Sequence, residues 1–271
     1  MPKAMVDKSE KFNWLVRLGF AARGLTYAML GYIALSTSGD AKGGGSAVYD
    51  YLQEVPLGTP LLWIMAIGLV AYSIFRFISA IADIQNHGSD TKGMLKRVGD
   101  AASGVAHIFL AYACYQFANG TKQDSGEGGG SQEMAGSVLS MDIGSVVIGV
   151  IGLGFLVGAF MQGKKALTAS FMQRISARAP SAIKTLGQIG HASRAVVFAL
   201  IGWSMVKGAW LSSESQIKGL GEAILSLRDT GILYTLVAVG LIMFGLFTLA
   251  TARYRIIPDI DGAQLKSKLP T

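Results

Sequence analysis

Residues 17–31 read Arg17-Leu18-Gly19-Phe20-Ala21-Ala22-Arg23-Gly24-Leu25-Thr26-Tyr27-Ala28-Met29-Leu30-Gly31, and the same plan returns twice further along the chain. At 188–202 it runs Gln188-Ile189-Gly190-His191-Ala192-Ser193-Arg194-Ala195-Val196-Val197-Phe198-Ala199-Leu200-Ile201-Gly202. At 97–111 it runs Arg97-Val98-Gly99-Asp100-Ala101-Ala102-Ser103-Gly104-Val105-Ala106-His107-Ile108-Phe109-Leu110-Ala111. In each copy a Gly is followed four residues later by Arg or Ser (Arg23, Ser103, Arg194). An aromatic residue or His comes next (Tyr27, His107, Phe198), then Gly or Ala. A second glycine follows at a near-constant distance: 49 residues from Gly19 to Gly68, 53 from Gly99 to Gly152 and 50 from Gly190 to Gly240. One unit is written three times within a single domain, over 11–86, 92–166 and 183–256, and that repetition sets the fold.

Each unit carries two long apolar runs. Six such runs, at about 14–35, 57–82, 98–119, 143–163, 187–210 and 231–252, are long enough as helices to cross ~30 Å of hydrocarbon. They are too long for strands. A mean hydropathy of +0.43 with 15% charged residues agrees, since about 25% is usual in soluble domains. The expected fold is an all-α, polytopic membrane protein. Its six transmembrane helices form three parallel two-helix repeats with approximate three-fold pseudosymmetry about the membrane normal.

The net charge of +7 is a matter of topology rather than of nucleic acid. Of 24 basic residues, sixteen fall on the side shared by the N-terminus, the 83–97 loop, the 163–186 loop and the C-terminal tail, and five on the other side. That bias places the N- and C-termini in the cytoplasm. The first run exceeds a signal-peptide core, contains Arg23 and opens the first repeat, so it reads as a retained helix. The outer loops, with Gly43–Ser46 and Gly128–Ser131, predict a glycine-rich lead and a short surface helix in each unit. The stretch Leu167–Lys184 predicts an interfacial helix broken at Pro180. The single cysteine, Cys114, excludes a disulfide scaffold within the chain.

The signature at 17–24, with Pro56-Leu57-Gly58 and Gly68-Leu69-Val70-Ala71-Tyr72 leading into the second helix, resembles the domain-of-unknown-function family 1206. The resemblance covers nearly the whole chain. It implies three tandem two-helix units in a bacterial inner (plasma) membrane and no assigned activity. Repeat two departs from it, with Asp100 and Ser103 where repeat one has Phe20 and Arg23.

The residues that invite chemistry are charged groups at depth. Arg23 lies roughly 13 Å along its helix at 1.5 Å per residue, and Arg194 is its equivalent in repeat three. An arginine at such depth costs about 2.5–3.5 kcal/mol on insertion scales and so faces the bundle and a partner. Asp100, the carboxylate set well within the spans, is the expected partner of Arg23, Arg194 or both. His107, Ser103 and Tyr27 share that stripe, and His191 occupies the repeat position of Asp100. A buried ion pair of this kind fixes how units dock without adding stability. Two histidines with one carboxylate fall short of a metal-ligand pattern, so no metal and no cofactor is expected. The glycine triplets lack the Lys-Ser/Thr and the preceding strand of a phosphate loop, and no nucleophile elbow or catalytic carboxylate pair is present.

Three functional readings follow. The first is a non-catalytic assembly or accessory subunit of the inner membrane, surrounded by membrane lipids and joined to a membrane-protein partner or a second copy of itself. The second is a small transporter or channel passing an anion, a proton or a lipid headgroup through an Arg23–Asp100–Arg194 seam. The third is a lipid-directed enzyme with His107 as acid or base. No nucleic-acid partner is expected.

Overall fold

Inside a bilayer the backbone has no water to bond, so an apolar run must satisfy its own amides as a helix. The computed structural model describes residues 8–36, 58–120 and 129–257, and it is helical almost throughout, with no strand among them. The helices are α1 (Lys8–Ser36), α2 (Gly58–Ala82), α3 (Thr91–Ala118), α4 (Gly129–Leu139), α5 (Gly144–Thr168), α6 (Ala182–Leu211), α7 (Leu220–Leu225) and α8 (Ile232–Tyr254). Five of them, α1, α2, α5, α6 and α8, are long and apolar enough to cross a membrane. The 28-residue α3 is long enough but less apolar: Lys92, Lys96, Arg97 and Asp100 load its first turns, and His107 and Gln116 dilute the rest. Asp90 caps its start, accepting from Gly93 N at 2.9 Å.

The long helices pack in the order α3–α2–α1–α8–α6–α5. First and second helices of the units alternate along that series. The most extensive interfaces join different units: α2 with α3, α5 with α6, and α1 with α8. Within unit one α1 packs on α2, and within unit three α6 packs on α8. The two long helices of the middle unit, α3 and α5, form no extended interface. The middle unit is thus not a docked hairpin, as the repeat alone suggests, and the set of contacts is open on one side.

Glycines explain why the other contacts are so close. A methyl on Gly19 would come 2.7 Å from the Tyr72 Cα, and one on Gly190 would come 2.5 Å from the Phe244 Cα. Between units, a methyl on Gly24 would meet the Gly245 carbonyl at 2.8 Å. Small residues of this kind let membrane helices approach until dispersion contacts hold them. Around these crossings the core is filled by Leu62, Met65, Leu69, Val197, Ala238, Leu241 and Phe244. A second cluster of Val16, Phe20, Tyr72 and Phe75 joins α1 to α2. The α5 helix contributes little, with four buried residues in 25: Gly144, Ile148, Gly152 and Gln162.

Two connections carry a short helix, as expected, and one departs from the sequence expectation. Between α3 and α5, helix α4 starts inside the glycine run, at Gly129, and packs on α5; between α6 and α8, α7 is only six residues long. The first outer loop, with Gly43–Ser46, lies outside the described residues. No interfacial helix forms over 167–184. Ala169 takes a left-handed conformation (φ 49°) that ends α5, and a short 3-10 turn at Ser170–Arg174 follows. Ile175 then pairs with Arg255 in an isolated antiparallel bridge. A local amphipathic pattern gives way here to a long-range backbone contact and to Phe171, which packs on Phe247 at 4.8 Å.

Candidate functional site: a cationic centre between the repeats

Asp100 is buried, and its partners come from the hairpin that joins units one and two. Arg76 Nη1 donates to Oδ1 at 2.5 Å; Ser79 Oγ and Gln85 Nε2 donate to Oδ2 at 2.5 and 2.9 Å. His87 Nε2 lies 3.4 Å from the same oxygen. The expected pairing of Asp100 with Arg23 or Arg194 is therefore corrected: Arg76 takes that place. The cause is hairpin geometry. With a short turn centred near residue 88, antiparallel neighbours sit equally far on either side, and positions 76 and 100 are each twelve residues away.

Around Gln85 the network reaches unit three. Arg174 Nη1 and Arg255 Nη2 both donate to Gln85 Oε1, the latter at 3.0 Å, and Gln85 also donates to Ser79. Four groups here lie outside the spans. Burial, then the Arg174 and Arg76 charges, hold the Arg255 guanidinium down at about 9, below its ordinary value. Burial likewise lowers Arg174, partly offset by Asp100. Burial also pushes the His87 imidazole below its usual range, against the opposing pull of Asp100. For Asp83 the burial effect, which would raise it, is outweighed by hydrogen bonds from the Gly88 and His87 amides, and the carboxyl ends up lowered.

Deeper along the helices lies a second layer built on rings. Arg23 donates from Nη1 to the Tyr72 hydroxyl at 2.6 Å, and its Cζ lies 5.0 Å from the Tyr72 ring and 5.1 Å from that of Phe244. Arg194 rests on Phe244 at 4.5 Å, Phe198 at 4.7 Å and Tyr27 at 5.0 Å. Tyr27 itself packs edge-on to Phe244 at 4.9 Å. Guanidinium groups on aromatic faces gain about 2 kcal/mol or more each when desolvated, so rings replace the expected carboxylate. The His107 ring lies tilted against Tyr72 at 4.6 Å and donates from Nδ1 to the Ser103 carbonyl at 2.7 Å.

The structure thus gathers Arg23, Tyr27, Arg194 and His107 in one aromatic-lined centre and puts Asp100 in an adjoining network, which meets the centre where Arg76 lies over the Tyr72 ring at 5.4 Å. Ser103 contributes its carbonyl. His191 stands apart: Nδ1 bonds Gln162 Oε1 at 2.6 Å, and Phe171, Phe244 and Phe247 surround the ring. Among the described residues no three His, Cys, Asp or Glu side chains come together as metal ligands. Sequence reasoning missed Arg76, Gln85, His87, Arg174 and Arg255. Reflection through the 83–90 turn finds Arg76, whereas nothing local marks Arg174 or Arg255.

A family model described as Domain of Unknown Function (DUF1206) matches three times, over residues 18–83, 98–169 and 189–255. The chain belongs to the DUF1206 family. Its matches begin just before the repeated glycine blocks and end at the C-terminal ends of α2, α5 and α8, so this member of the family carries one match per unit. The chain is also 29% identical over 263 residues to the uncharacterized protein YxxB of Bacillus subtilis (strain 168), covering 92% of this chain and 94% of that protein. No solved structure matches it.

Proposed function

We propose that this DUF1206 chain is a non-catalytic, multi-pass protein of the bacterial inner membrane that serves as an assembly or accessory subunit. In this reading α3 is the sixth spanning helix, the three units are related by an approximate three-fold axis, and both termini are cytoplasmic.

One observation carries the reading. In units one and three the glycine four residues before the arginine is filled by a neighbouring helix, Tyr72 on Gly19 and Phe244 on Gly190. The equivalent Gly99 has nothing within 4 Å of where a methyl would stand. Beside it Val98, Val105, Phe109 and Tyr112 form an exposed stripe at helical spacing. Across the opening α5 exposes Val146, Val150, Leu153, Val157 and Phe160. Lipid tails are as apolar as these side chains, so only close packing distinguishes a protein neighbour, and a vacant small-residue crossing supplies it. A transmembrane helix of a partner, or of a second copy, fits there.

Native mass spectrometry of the chain released from its own membrane in mild detergent tests this. The expected particle is heavier than the 28.6 kDa chain by a second polypeptide. A bare monomer contradicts the reading. Gly99→Leu, which blocks the crossing, is expected to release the partner while the chain stays folded.

A further inference from the structure

The centre carries more positive charge than its own carboxylates neutralise. Among the described residues the ion pair between fixed charges is that of Arg76 with Asp100, whose oxygens Ser79, Gln85 and His87 also approach. Three nearby cations, Arg23, Arg194 and Lys165, form no ion pair among the described residues. Arg23 is 8% exposed, donates to the Tyr72 hydroxyl, and has no acceptor for its Nε. Arg194 is 6% exposed, rests on the rings of Tyr27, Phe198 and Phe244, and its Nε also lacks an acceptor. Half-buried Lys165 on α5 lies within electrostatic reach of Arg76, Arg194 and Arg23, with Asp100 the one carboxylate acting on it. The two guanidinium groups share the rings of Tyr27 and Phe244 as neighbours, so they converge on one place.

One acceptor faces the same centre. Because a carbonyl only accepts, the bond to Ser103 O fixes the His107 proton on Nδ1 and leaves Nε2 with a bare lone pair. That nitrogen is buried and has no donor. Its ring lies against Tyr72, whose face and hydroxyl Arg23 also engages.

We infer that Arg23, Arg194 and Lys165 hold a phosphate monoester or orthophosphate, whose P–OH group donates to His107 Nε2. Like charges held close in a low-dielectric interior repel strongly, and an anion between them removes that cost. Guanidinium forks match phosphate oxygens in pairs, which a halide does not use. A phosphodiester has no P–OH to give the histidine. His107 on α3 and Lys165 on α5 belong to the two helices that flank the open interface, so a phosphatidic-acid headgroup and free phosphate both fit by chemistry. The inference is independent of any protein partner.

The full chain in phosphatidylcholine nanodiscs is titrated with radiolabelled orthophosphate. In parallel, native mass spectrometry reads the lipid retained from nanodiscs containing phosphatidic acid or phosphatidylglycerol. The expected result is one phosphate or one phosphatidic acid per chain, weakened roughly tenfold or more by Arg194→Gln and by Lys165→Gln, the scale of one lost charge-assisted hydrogen bond. The exposed neighbour change Lys164→Gln leaves binding as it was. Saturable orthophosphate binding identifies the free ion; phosphatidic acid retained in preference to phosphatidylglycerol, without orthophosphate binding, identifies the headgroup. Binding of neither, equal retention of both lipids without orthophosphate binding, or a Lys165→Gln chain that binds like the parent overturns the inference. Lys165, at the edge of the core, keeps the test decisive if Arg194→Gln does not fold.

Discussion

Asp100 is the residue on which the inner network turns, because removing it strands Arg76 without its counter-charge. Breaking a buried pair from one side typically costs about 3–5 kcal/mol, whereas removing both partners costs far less than the sum. Asp100→Ala is therefore expected to lower thermal stability more than the double change Arg76→Ala with Asp100→Ala. Additive losses would refute the pairing. His87 adds a pH dependence of known sign. Its folded-state proton affinity lies below the ordinary 6.5, so as pH falls below that value the unfolded chain takes up the proton first. Stability fades with falling pH in that window, and His87→Gln is expected to flatten this part of a melting-temperature profile recorded between pH 7 and 5. Asp100, Asp83, Arg174 and Lys96 face the imidazole and remain in both proteins. That Asp100 belongs to a polar network was legible from a carboxylate set deep in an apolar run. Its partner needed the hairpin register as well, since Arg76 carries no mark of its own beyond being charged in a span.

At the scale of helices, the contrast between equivalent glycines is the sharpest consequence of the packing. Gly19→Ala and Gly190→Ala push a methyl into the backbone of α2 and α8, and overpacking of this sort costs about 1–3 kcal/mol. Gly99→Ala meets open space and gains helix propensity of up to ~1 kcal/mol. Unfolding of the three purified variants is expected to rank Gly99→Ala at or above the parent and the other two below it. A Gly99→Ala chain as damaged as the Gly19→Ala chain would mean that a helix does occupy that face. The long helices were readable because apolar runs of such length have one solution in a bilayer. The split middle unit was not, since a repeat shows which surfaces are alike and says nothing of which are filled. The turn at Ser170–Arg174 was hidden for a different reason: it depends on Ile175 meeting Arg255, eighty residues away.

For the whole molecule, the alternation of first and second helices from different units means that unit two is held at both ends by its neighbours, α3 by α2 and α5 by α6. Orientation is the first check on that picture. With the buried Cys114 replaced by Ala, a cysteine at Lys184 is expected to react with impermeant thiol reagent only from the cytoplasmic side, and one at Lys218 only from outside; the reverse pattern would invert the topology. The vacant third crossing is the second, and a photo-crosslinking amino acid at position 99, activated in intact membranes, tests it most directly. An adduct to a second polypeptide is the predicted product. Crosslinking back to residues 152–156 of the same chain would show a closed bundle and contradict the account.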